Sequence, residues 1–168
     1  MNQTPLRLFN KFRFLLNPRI KSCGKVLFSP KTEVSVQGML RIGNGVRTER
    51  GVFLASRYGA EIKLGSKVYV NRNTCIVAKK SISIGNHVDI GPNVCIYDHD
   101  HNKKSPTGFV TAPISIGNDV WIGANCVILK GVTVGDNCVI AAGSVITHDI
   151  PANSVVYQKR ATTIIDHM

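Results

Sequence analysis

The sequence predicts an all-β solenoid, in which short strands wind into a triangular prism, and two observations carry that reading. From Ile84 the chain reads IGNHVD, IGPNVC and then, after an interruption, IGNDVW, IGANCV, ILKGVT, VGDNCV and IAAGSV, a period of six. Within each unit the first position is Ile or Val and the fifth is small or β-branched: Val88, Val94, Val120, Cys126, Val132, Cys138 and Ser144. Both slots recur without slippage from Ile116 to Ile146. A period of six fits neither the 3.6-residue turn of a helix nor simple two-residue alternation, but it does fit a short strand followed by a tight turn. Three such units close one coil.

Each slot then has a physical role. The large aliphatic at the first position points into the prism, the glycine that often follows tolerates the turn, and the fifth position takes whatever small residue fits the corner. In this frame Cys126 and Cys138 are small apolar fillers. Weaker versions of the unit stand upstream, as IGNGVR from Ile42, LGSKVY from Leu64 and VNRNTC from Val70. The regular domain is therefore expected over 34–156, between an N-terminal segment 1–33 and a tail 157–168.

Composition narrows the class. With 168 residues and 43% hydrophobic content the chain suits one domain with a real core. No run approaches the roughly 18 to 20 apolar residues of a membrane-spanning helix, and the apolar stretch near the N-terminus is broken by Lys11, Arg13 and Pro18. Neither a transmembrane nor a standard secreted protein is expected. The five cysteines lack CxxC spacing, which argues against a zinc ribbon or disulfide framework and for reduced thiols in the cytoplasm. Positive charge is concentrated in the first half: residues 1–80 hold 16 Lys or Arg against 3 Asp or Glu, and residues 81–168 hold 5 against 7. Such a half could face phosphates, but no zinc-finger or RNA-binding signature accompanies it, so nucleic acid is not expected as a partner.

The N-terminal stretch PLRLFNKFRFLLNPRIK places Leu8, Phe12 and Leu15 on one face of a short basic amphipathic helix. That helix is expected either to cap the open end of the prism or to touch an anionic membrane surface.

The repeat breaks once. Ile84 and Ile116 are 32 residues apart where one coil of three units takes 18, so about fourteen residues are inserted, around 98–112. At their start stands IYDHDHN, residues 96–102, with His99, His101, Asp98 and Asp100. An excursion from a regular solenoid costs ordering entropy and adds no core, which makes it a natural place for function. A neutral imidazole, with an ordinary pKa near 6.5, can accept a hydroxyl proton around neutral pH. The same four side chains are also ligands for a first-row metal.

The hexad pattern of residues 34–156 resembles the left-handed parallel β-helix of the hexapeptide-repeat acyltransferases, in the branch that contains galactoside, maltose and serine acetyltransferases and polysaccharide O-acetyltransferases. Members of the galactoside and maltose type carry a catalytic histidine ten residues after the first residue of a GPNV-like unit. Counting ten from Gly91 reaches His101, and IGNDVWIGANCVILKGVTVGDNCVIAAGSVITHDIP then matches the family hallmark. The resemblance implies transfer of acetyl from acetyl-CoA to a carbohydrate acceptor, a surface polysaccharide or its precursor, with His101 as general base. His99 is the alternative base, and Asp98, Asp100 or a backbone carbonyl would fix the tautomer of the imidazole. It further implies Asn71, in YVNRNT, and Trp121 at the acceptor, although Trp121 suits an interface between copies equally well. Acetyl-CoA would be held at Ala124, Ala142, Thr147 and His148, and the assembly would be a homotrimer. No metal is implied. N-acetylation of an amino sugar and a non-enzymatic or metal-binding β-helix are the alternatives.

Two departures stand out. The family's G-x-P-A-[KR] turn is replaced by VVYQKRATTIID, leaving Lys159 or Arg160 to meet the CoA nucleotide, and Lys79 stands where galactoside enzymes carry an acidic sugar-binding residue. The second points toward an anionic acceptor.

Overall fold

The computed structural model describes residues 17–159, and among them it contains strands and turns and no helix. Three parallel sheets of six, seven and six strands form the three sides of a prism, here called A, B and C, and successive strands visit A, B and C in turn. The chain thus coils as the six-residue period requires. A fourth, two-stranded sheet lies outside the coils.

Inward residues stack in register from coil to coil. On side A, Ile62 pairs with Ile82 and Ile82 with Ile114; on side C, Leu54, Ile76, Ile96, Ile128 and Ile146 follow one another. All of these are buried, as are the seven fifth-position residues singled out above. The Cys126 and Cys138 thiols lie in this core, 3.2 Å from the carbonyls of Ala141 and Pro151. Truncating one such isoleucine to alanine removes core volume that rigid neighbouring coils cannot refill, which costs about 2–5 kcal/mol.

The glycine slot works differently from expectation. Gly43, Gly65, Gly85 and Gly117 do not adopt positive φ; a Cβ on Gly85 would stand 2.5 Å from the Gly117 carbonyl oxygen, and one on Gly65 would stand 2.3 Å from that of Gly85. Close approach of backbones in successive coils excludes a side chain here. The left-handed conformation falls two residues later, on Lys67, His87, Asp119 and Asn137, with φ between 54° and 58°. Asparagine and aspartate tolerate that region better than most residues, and His87 is thereby a turn residue whose ring lies 3.3 Å from the Asp119 carboxylate.

The weakness of the upstream repeat also has a geometric cause. Inward residues are six apart across the A-to-B and B-to-C corners in every coil, as in Ile42–Thr48–Leu54, Leu64–Val70–Ile76 and Ile84–Ile90–Ile96. Length varies at the C-to-A corner. Leu54 to Leu64 takes ten residues, Ile76 to Ile84 eight, Ile96 to Ile116 twenty, and Ile128 to Val134 six. A reading frame that resets at every third corner looks like a failing repeat, although the solenoid is continuous.

The start at residue 34 needs correction. Strands Ile20–Ser22 and Val26–Phe28 already pair with Met39–Ile42 and Val46–Thr48 on sides A and B. Ser22 replaces the usual aliphatic, Cys23 stands in the glycine slot, and the left-handed residue, Gly24 at φ 80°, comes one position earlier than in the later coils, which hid this coil from the hexad pattern. Side B ends on Val155–Val156. The amphipathic stretch that would form the N-terminal helix lies outside the described residues, except for its end. No described helix is long and apolar enough to cross a membrane.

Candidate active site

The inserted segment is an antiparallel hairpin rather than an open loop. Strand His99–His101 pairs with Phe109–Thr111, with His99 opposite Thr111 and His101 opposite Phe109. The intervening turn is closed by Asn102 N–H to the Gly108 carbonyl at 2.9 Å. Because strand side chains alternate, His99 and His101 share one face and Asp100 takes the other. The histidines share Phe109: ring centroids lie 5.7 Å from His99 and 4.7 Å from His101. Tyr97 meets His99 edge-on at 5.8 Å. Asp100 is ion-paired with Lys130 from the C-to-A corner of the next coil.

Asp98 anchors the hairpin where it leaves side C. Its side chain is fully buried. One carboxylate oxygen accepts the Lys79 backbone N–H at 2.8 Å, the other accepts that of Lys80 at 2.7 Å, and the Ala112 N–H donates to the Asp98 carbonyl at 2.9 Å. A buried carboxylate is tolerated when its oxygens are satisfied in this way. The His99 Nδ1 lies 3.1 Å from the same Oδ1 that accepts from Lys79. Since that oxygen is an acceptor, Nδ1 is the donor, and in the neutral form of the ring Nε2 keeps its lone pair. The carboxylate expected to fix an imidazole is therefore Asp98, and the ring it holds is that of His99. The His101 ring is exposed and has no hydrogen-bond partner among the described residues.

The remaining candidates fall elsewhere on the prism. Asn71 stands at the B-to-C corner, where its side-chain oxygen accepts the Arg72 N–H at 2.8 Å. Ala124 and Ala142 occupy the same corner in later coils, connected through the Gly143 N–H to the Ala124 carbonyl. Trp121 projects from side B between Asp89 and Val139, 58% exposed. Thr147 and His148 lie on the C-to-A corner of the last coil, joined by a 2.8 Å hydrogen bond. Lys159 is exposed, and Arg160 lies outside the described residues. One copy of the chain thus brings together His99, His101, Asp98, Asp100 and, unforeseen, Phe109 and Lys130, but not Asn71 or Trp121. Lys79 joins this group, with Nζ 3.5 Å from the Phe109 ring centroid. Phe109 was detectable only from its pairing with His101.

Cys95 is not an activated nucleophile. Burial pushes its thiol above the ordinary range, with the neighbouring Cys75 adding to the effect, and burial likewise raises Tyr97 beside it. Among the described residues no three His, Cys, Asp or Glu side chains are placed to hold a metal ion.

Comparison with known proteins agrees with this architecture. The family model described as the hexapeptide repeat of succinyl-transferase matches residues 113–148. A maltose O-acetyltransferase of Clostridium difficile 630 superposes with a TM-score of 0.56 at 30% identity, over 91% of this chain and 77% of that one. The chain belongs to the hexapeptide-repeat acetyltransferases. Within that family it is 41% identical over 118 residues to the galactoside O-acetyltransferase of Escherichia coli K12, an alignment covering 68% of this chain and 57% of the other. The chain spans little more than half the length of the curated relatives it matches. The N-acyltransferase AntD of Bacillus cereus shares the fold, with a TM-score of 0.70 at 19% identity over 90% of this chain and 82% of that one.

Proposed function

We propose that this hexapeptide-repeat protein is an acetyl-CoA-dependent O-acetyltransferase acting on a sugar hydroxyl of a surface polysaccharide or its precursor, with His101 as general base. The observation that carries the proposal is the hairpin at the C-to-A corner, which holds two imidazoles on one face around Phe109. In a direct attack, with no acyl-enzyme, the acceptor hydroxyl gives its proton to the ring nitrogen as its oxygen bonds to the thioester carbonyl carbon. The tetrahedral intermediate then collapses with loss of the CoA thiolate, and the imidazolium returns the proton to sulfur. The named activities of the galactoside and maltose enzymes support this reading. A structure in the same family is complexed with acetyl coenzyme A, which supports the donor.

The separation of Asn71 and Trp121 from the hairpin supports a trimer. Residues from the B-to-C corner and side B of one copy would complete a site opened by the hairpin of another.

A second reading rests on the Asp98–His99 hydrogen bond, which holds His99 in the tautomer a base requires. Steady-state kinetics separate the two. With His101 as base, His101→Ala lowers turnover by about 10² to 10⁴ with little change in acetyl-CoA affinity, and His99→Ala costs less. The reverse ranking assigns the role to His99. AntD, whose structure holds an amino sugar nucleotide, keeps N-acetylation as the alternative reaction. Acceptor pairs that differ only in hydroxyl or amine distinguish it.

A further inference from the structure

Immediately beneath the hairpin, the C-to-A corner carries three cations that no carboxylate neutralises. Lys79 and Lys80 wrap the corner through their backbone bonds to Asp98. Arg57 lies one coil below, where its N–H donates to the Ala78 carbonyl at 2.9 Å and so places it under Lys79. Among the described residues none of the three is in an ion pair. The nearby carboxylates are all engaged: Asp98 by backbone N–H groups and His99, Asp100 by Lys130, and Glu61 by Arg41. The three cations therefore have no carboxylate partner: Lys80 is exposed, and Arg57 and Lys79 are half-buried, with the Lys79 ammonium resting on the Phe109 ring.

The same corner presents an aromatic ring. The Ala60 N–H donates to the Arg57 carbonyl at 2.9 Å across Arg57-Tyr58-Gly59-Ala60, and Gly59 sits at φ 74°, the geometry of a type II turn. Tyr58 occupies the second position of this turn and is 87% exposed. An exposed ring on a hydrogen-bonded turn offers a flat apolar face with a hydroxyl at its edge, which suits the apolar side of a pyranose. Contiguity with the histidines is direct, since Lys79 covers Phe109 and Phe109 touches both imidazoles.

We infer that Arg57, Tyr58, Lys79 and Lys80 form an acceptor subsite for a sugar carrying a phosphate or carboxylate, with the anion on the cations and the ring on Tyr58. This rests on the acetyltransferase reading above and adds a substrate class to it. The acceptor would lie along the corner with its hydroxyl toward the hairpin and its charge toward the earlier coils.

The test compares galactose 1-phosphate with methyl galactoside as acceptors for the full chain. A charge-assisted hydrogen bond is worth enough to predict about a tenfold higher kcat/KM for the phosphate, shrinking as salt is raised. Lys80→Gln and Arg57→Gln should each collapse that preference. Equal kcat/KM for the two acceptors, or a preference that survives both substitutions, overturns the inference while leaving the acetyltransferase reading intact. If neither acceptor is acetylated, calorimetric titration with galactose 1-phosphate decides the subsite separately. Affinity that drops about tenfold in the two variants supports it, and undetectable or unchanged binding rejects it. Tyr58→Ala should weaken binding of galactose 1-phosphate and spare inorganic phosphate; a change in oligomeric state with unchanged affinity would instead assign Tyr58 to a contact between copies.

Discussion

Replacing Asp98 by alanine tests the anchoring of the hairpin. The substitution removes a fully buried carboxylate that satisfies the backbone N–H groups of Lys79 and Lys80 and holds the His99 ring. Each buried donor left without an acceptor costs about 1–3 kcal/mol, so the two backbone groups alone predict a loss of about 2–6 kcal/mol. Entry of water into the vacated space would keep the effect at the lower end. For a chain of this size 1 kcal/mol moves Tm by about 2–4 °C, so a loss at the lower end, about 2–4 kcal/mol, predicts a fall of about 4–16 °C in a thermal melt. Asp98→Asn is the sharper probe of chemistry. It keeps the volume and one acceptor oxygen but aims an amide donor at either a backbone N–H or the ring nitrogen. With His99 as base, Asp98→Asn would lower turnover by an amount comparable to His99→Ala; with His101 as base, the loss follows hairpin position and remains smaller than that of His101→Ala. An Asp98→Ala protein that melts with the wild type would refute the account of Asp98 as an anchor.

The two kinds of glycine should respond differently to alanine. Gly85→Ala sets a Cβ 2.5 Å from a backbone oxygen of the next coil and is expected to destabilise by about 1–3 kcal/mol, whereas Gly59→Ala meets open space and pays only for positive φ, about 1–2 kcal/mol; equilibrium denaturation that ranks Gly59→Ala as the more damaging would contradict the stacking argument. Alkylation by iodoacetamide at pH 8 should modify exposed Cys23 first. Cys95 should lag because a raised pKa lowers its thiolate fraction at any pH below that value, and Cys126 and Cys138 should react only on unfolding, which peptide mass mapping reads directly.

Much of this architecture was legible because a solenoid repeats one local solution. From Ile116 to Ile146 every inward slot is reused at a spacing of six, so the sequence states its coil without reference to distant residues. Upstream the same coils were harder to see, since the C-to-A corner adds two or four residues each time and Ser22 stands in an aliphatic slot. Those residues carry no periodic signal because they are outside the prism. The histidines were visible as a break in the repeat, and Asp98 as a carboxylate beside them. What the sequence could not show is which ring Asp98 would hold: a strand leaving the corner could have turned either imidazole toward it, and the folded corner brings the His99 ring to its carboxylate. Lys130 and Phe109 were hidden for a related reason. Lys130 is the third residue of a regular hexad and Phe109 lies in the returning part of the insertion, so neither departs from its local pattern, and their place at the site is a product of coil stacking and hairpin register.

That variable corner also gives the fold its functional logic. Two corners are fixed at six residues in every coil by the register of the sheets, so changes in length there would displace the inward ladder. The third corner accommodates ten, eight, twenty and six residues between Leu54 and Leu64, Ile76 and Ile84, Ile96 and Ile116, and Ile128 and Val134 without disturbing the stacked isoleucines. Insertions are therefore tolerated along one edge of the prism, and successive insertions necessarily lie above one another. The Tyr58 turn, the Lys79–Lys80 pair and the histidine hairpin occupy three consecutive coils of that edge. A chemical group presented by one insertion is thus automatically within reach of a binding group presented by the next, because coils are spaced as neighbouring strands are, about 4.8 Å apart. On this argument, lengthening the Arg57–Ala60 turn should alter which acceptors are used while leaving the melting transition of the stacked core nearly unchanged; a large loss of stability from such an insertion would show that this edge, too, is held by packing.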